Sequence, residues 1–83
     1  MTVTATKLVN RDVYEISYDN SSGEGTVTAE FENPEDGDKS AYSGKDDGKF
    51  VVTVATGYEG SSDVTVTHDD NQEVLDTGTV TFG

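Results

Sequence analysis

The single histidine of this chain, His68, is followed at once by Asp69 and Asp70 and preceded by Ser61 and Ser62. One short stretch therefore holds a nucleophile, a base and an acid, the residue types of acyl transfer. A working triad needs those groups to converge in space beside an oxyanion loop, and no nucleophile elbow or oxyanion motif accompanies them. By strand alternation His68 extends the face of Val64 and Val66 to a strand end, where the expected role is a half-exposed polar terminator. No catalytic residue and no enzymatic activity are expected.

A second possible chemistry is binding of a hard divalent cation through carboxylate oxygens. Glu35, Asp36 and Asp38 form one acidic group, Asp46 and Asp47 another, and Asp69 with Asp70 a third. Asp36, Asp38, Asp69 and Asp70 are the weak candidates for metal ligands. The EF-hand spacing is not met: Ser40 takes the third ligand place after Asp36 and Asp38, Ala41 the glycine turn position, and Asp47 the place of the bidentate glutamate. Hydrated loops without a metal or other cofactor are the expected state. Asn20-Ser21-Ser22 matches a glycosylation sequon in a predicted loop, a match that a chain rich in Asn, Ser and Thr produces by chance.

These groups sit on a chain of 83 residues with 17 acidic and 5 basic side chains, a net charge of −12. Lys7, Arg11, Lys39, Lys45 and Lys49 are scattered and outnumbered, which disfavours binding to nucleic acid or to an anionic membrane. There is no cysteine, so disulfides and thiolate metal sites are excluded. A single domain spanning 1–83 is expected, one that buries only about 60% of its unfolded surface and is marginally stable. A metal, oligomerisation, docking onto a larger assembly or a salt-rich solvent would supply what the small core lacks.

The elements that must position these groups are strands. In Thr26 to Glu32, Val27, Ala29 and Phe31 alternate with Thr26, Thr28 and Glu30, and Val64 and Val66 alternate with Asp63, Thr65 and Thr67. Such register, in β-branched residues, predicts half-buried strands and not a disordered acidic tail. A first strand is read over Thr2 to Val9, and a second places Tyr14, Ile16 and Tyr18 on one face. The third ends at Asn33-Pro34, since proline cannot donate to a ladder. Residues Glu35 to Gly48 look least structured, with a short edge strand around Ala41 and Tyr42. Phe50, Val52 and Val54 share a face with Val51 opposite; His68 to Gln72 form a hairpin loop into Glu73 to Phe82, where Val80 and Phe82 point inward and Gly78 marks a bulge. No helical period stands out. An all-β, immunoglobulin-like antiparallel sandwich of about seven strands is the expected fold.

The strand layout, and above all a Gly-Tyr-x-Gly loop leading into DVTVTHDDNQEVLDTGTVTFG, resembles the bacterial-type immunoglobulin-like modules of surface proteins and of tailed-virus capsids and tails. The cysteine pair and tryptophan of antibody domains are absent, and Tyr58 lies too early for a tyrosine corner. The acid excess, sparse lysine and small apolar residues are similar to those of proteins from salt-accumulating halophilic archaea. Charges feel each other over about 8 Å at physiological ionic strength and over about 3 Å in molar salt, so repulsion becomes nearly local there. Together these likenesses imply a non-enzymatic accessory component, a decoration, turret or tail protein, in the virion of a tailed virus of halophilic archaea, assembled in the host cytoplasm. Its expected partners are capsid or tail proteins and further copies of itself. The alternative implied is an adhesin or surface-layer binding module at the cell surface, stabilised by Ca²⁺. Leu8, Val9, Val51 and Leu75 are the expected partner contacts, with a place in the core the alternative for any of them.

Overall fold

The computed structural model describes residues 3–8, 13–32 and 39–83. Seven strands follow in chain order: β1 (Thr4–Lys7), β2 (Val13–Ser17), β3 (Thr26–Glu32), β4 (Lys39–Lys45), β5 (Lys49–Thr53), β6 (Gly60–His68) and β7 (Val74–Phe82). They form a three-stranded sheet in the order β1-β2-β5 and a four-stranded sheet in the order β4-β3-β6-β7. Every pairing is antiparallel. The fold is an all-β antiparallel sandwich. An antibody constant domain keeps its fourth strand with the first, second and fifth; here β4 lies beside β3 in the other sheet.

The alternation explains which faces meet. Tyr14 and Ile16 of β2, with Tyr18 just beyond it, and Phe50 and Val52 of β5 oppose Val27, Ala29, Val64, Val66, Val80 and Phe82, all buried in one core. Burial of Val54 continues the Phe50 and Val52 face, as the periodicity predicts. Between β4 and β5 the sandwich is filled by rings: Tyr42 stacks on Phe50 at 5.0 Å and Phe31 on Phe50 at 6.2 Å. At the other side β1 lies against β7.

Three expectations are corrected here. The first strand is shorter than Thr2 to Val9, and Val9 lies outside the described residues. β4 runs over Lys39–Lys45, well beyond Ala41 and Tyr42, because its whole length pairs with β3. The bulge is not at Gly78, which pairs regularly with Val64. A side chain at Gly78 would meet Val3 at 3.2 Å, so that glycine admits the N-terminal segment. The extra residue is Leu75: Val66 pairs with Asp76 and Thr67 with Val74. With one residue too many on β7, Leu75 and Asp76 both turn toward the interior.

Candidate functional site

The loop from Tyr18 to Gly25 carries the chain from β2 to β3, and so from one sheet to the other. Two carboxylates anchor it, and both are completely buried: Asp46, in the turn between β4 and β5, and Asp76, beside the bulge of β7. Asp46 belongs to a group expected to stay hydrated in a loop and Asp76 to the expected last strand, and burial is expected of neither. For Asp76 a signal existed, because counting back by twos from Phe82 and Val80 puts it on the inward face. Asp46 has none, since only the folded loop brings its donors together.

Asp46 accepts three hydrogen bonds on its carboxylate. Tyr18 donates its hydroxyl to Oδ1 at 2.8 Å, and Ser22 gives both its backbone N–H and its hydroxyl to Oδ2 at 2.9 Å each. The Ser21 hydroxyl donates to the Asp46 carbonyl at 2.8 Å. Burial is the largest single influence on this carboxyl and works against its ionisation, but the Ser21, Ser22 and Tyr18 donors together outweigh it and bring it from 3.8 down to about 2. Three donors on one anion, with the Ser21 hydroxyl beside them, do what a salt bridge would otherwise have to do. Tyr18 moves the other way. Burial pushes its phenol up to about 12, against a lowering contact with the Gly48 backbone and with the hydrogen bond and charge of Asp46 adding to the rise.

Asp76 holds the start of the same loop. Its Oδ2 accepts the N–H of Asp19 at 2.8 Å and its Oδ1 that of Thr77 at 2.9 Å. Next to it the Asn20 side-chain amide donates to the Leu75 carbonyl at 2.9 Å. Asn20 adopts φ 65°, a left-handed conformation that asparagine tolerates better than most residues. The nitrogen that a glycan would occupy is therefore the one that ties this loop to β7.

The remaining candidates do not converge. β6 carries Ser62 and His68 six positions apart, which separates them by about 20 Å at strand rise. Ser62 is itself buried, with its hydroxyl donating to the Glu32 carbonyl at 3.1 Å and accepting the Glu32 N–H at 2.9 Å. The His68 ring lies over Gly25, with Nε2 at 3.3 Å from the Glu24 carbonyl oxygen, and Nδ1 is buried without a partner among the described residues. Asp69 turns back to accept the Thr28 hydroxyl at 2.8 Å, whereas Asp70 is exposed. Among the described residues no group of three or more His, Asp or Glu is placed to hold a metal ion. Asp36 and Asp38 lie outside those residues.

Of the expected contact residues, Val51 is exposed on the outer face, at 53% of its full surface, and Leu8 is half-buried. For Leu75 the core alternative holds: the bulge turns it inward, where it is 9% exposed. The lysines of the described segments are less scattered than they look in sequence. Lys7, Lys39, Lys45 and Lys49 all belong to β1, β4 and β5, which are edge strands.

Compared with family models, with curated proteins and with solved structures, the chain matches none.

Proposed function

We propose that this chain is a non-enzymatic structural module, an accessory component of the virion of a tailed virus of halophilic archaea, present in many copies and attached to capsid or tail proteins. The observation that carries the structural part of this reading is the use made of Asp46 and Asp76. The two carboxylates that are best provided with donors face inward, and their hydrogen bonds stiffen the loop that joins the sheets. A site that reacts needs its polar groups turned toward a ligand; here they are consumed in holding shape.

The exposed side chains support the rest. The outer face of the four-stranded sheet presents Thr26, Glu30, Asp63, Thr77, Thr79 and Thr81 to solvent, a hydroxyl and carboxylate surface suited to competing for water at high salt. At a net charge of −12, self-repulsion favours such a module in concentrated salt over dilute buffer. The test is recovery of the chain from its native source at molar salt, with mass spectrometry of what copurifies. Virion structural proteins in fixed proportion are the expected result, and a free monomer would overturn the reading.

A further inference from the structure

Backbone geometry singles out one edge of the sandwich. Among the described residues β5 pairs with β2 on one side only, in a register that sets Ser17 opposite Lys49 and Ile16 opposite Phe50. One step further along, the Tyr18 N–H donates to the Gly48 carbonyl at 2.9 Å. In an antiparallel ladder bonded pairs alternate with unbonded ones, so Gly48, Phe50 and Val52 turn their backbone groups toward β2. Lys49, Val51 and Thr53 then turn theirs outward, to the open edge. Their side chains are exposed as well, and Val51 is the most exposed of the large hydrophobic residues among those described, at 53%.

We propose that β5 pairs antiparallel with β5 of a second copy about a two-fold axis at Val51, joining two three-stranded sheets into one of six strands. The sequence of the strand is complementary to itself in that register and in no other. Val51 faces Val51 of the second copy, and Lys49 faces Thr53. Each of the three outward-turned residues thereby exchanges both its N–H and its carbonyl, leaving no outward backbone group of the strand unpaired. A register centred on Phe50 would leave both Thr53 residues without partners.

Charge and shape favour this edge over the others. β5 carries no carboxylate, and its one lysine meets a threonine, so no like charges are opposed across the axis. β1 is only four residues long and lies against β7. Among the described side chains of β4 the exposed ones are Ala41, Ser43 and Lys45, with no large apolar group among them. A five-residue strand pair buries less than the roughly 1,200 Å² of a stable standard interface, so the dimer is weak in free solution and gains strength where copies are held close together. Repulsion between two anionic bodies makes it stronger in salt. The inference rests only on the multi-copy part of the proposed function.

Sedimentation equilibrium in molar KCl tests it, with hydrogen exchange on the same samples. The wild-type chain is expected to show a concentration-dependent dimer below about 1 mM, with the Lys49, Val51 and Thr53 amides gaining protection as it forms. Val51→Lys is expected to weaken dimerisation at least about tenfold while leaving the circular dichroism spectrum intact. Val74→Lys, at the other exposed valine, is expected to leave dimerisation unchanged. A chain monomeric up to that concentration, a dimer indifferent to Val51→Lys, or a dimer without protection of those amides would each overturn the proposal. None of these outcomes bears on copurification with virion proteins, which judges the proposed function separately.

Discussion

Tyr18 donates its hydroxyl to Asp46 at 2.8 Å, joining positions 28 residues apart and bringing the end of β2 to the turn between β4 and β5. Neither partner is free to choose another. Asp46 is closed off from water, and Tyr18 is 6% exposed. Replacing Asp46 with alanine leaves the Tyr18 hydroxyl and the Ser22 N–H without their acceptor, and is expected to cost about 2–4 kcal/mol. Tyr18→Phe removes one donor and should cost about 1 kcal/mol. In a double-mutant cycle by urea unfolding, a coupling of about 1–2 kcal/mol between the two positions is expected; strict additivity would show that the bond contributes nothing of its own.

The pair also sets how stability responds to pH. The Asp46 carboxyl lies at about 2 in the folded chain and 3.8 when unfolded, so its contribution is complete above pH 4 and disappears as the pH falls toward 2. That shift corresponds to a contribution on the order of 2 kcal/mol. Tyr18 carries the opposite sign: its phenol is raised from 10.0 to about 12, so its share is complete below pH 10 and is lost as the pH climbs through 12. Because acid also discharges the surface carboxylates and relieves their repulsion, the unfolding series is best run at molar salt. Asp46→Asn is expected to remove most of the acid limb from pH 4 to 2.

Asp76 and Asn20 hold the other half of the loop. Asp76→Ala removes the acceptor of the Asp19 and Thr77 amides, and hydrogen exchange at Asp19 is expected to accelerate at least tenfold, with a global loss of about 2–3 kcal/mol. Asn20→Gly keeps the left-handed backbone and loses only the bond to the Leu75 carbonyl, whereas Asn20→Val adds backbone strain and should cost about 1 kcal/mol more. Equal stability of the two variants would contradict the conformational account of Asn20.

Leu75 is a test of the bulge. As a core residue it should lose about 2–4 kcal/mol on replacement by alanine, and an exposed contact residue would lose almost nothing. Thermal melts distinguish the two, since 1 kcal/mol moves the midpoint of a domain this size by about 4–8 °C.

Most of the fold is legible in the alternation: the inward faces of Tyr14 and Ile16, of Val27 and Ala29, of Phe50, Val52 and Val54, and of Val64 and Val66 are all set by a period of two. That period failed where a residue was inserted. At Leu75 the bulge shifts the phase, so a residue read as a surface contact joins the core, and Gly78, which looked like the irregular position, is regular. Long-range polar pairing was the other gap. Nothing near Asp46 in sequence announces that Tyr18, Ser21 and Ser22 will surround it, because those donors arrive from a loop that crosses between sheets. The acid excess thus divides into two kinds: Asp46 and Asp76 build the interior, and the exposed carboxylates are the ones proposed to set the solvent in which that interior is stable.

The most direct test of this division is calorimetric melting of the wild-type chain in KCl from about 0.1 M to about 3 M, the range over which screening shortens from about 10 Å to below 3 Å. The midpoint is expected to rise steeply with salt, by about 10 °C or more, and to do so in Asp46→Asn as well, displaced downward but parallel, because the buried pair is shielded from the medium. A wild-type midpoint that stays flat across that range would contradict the account.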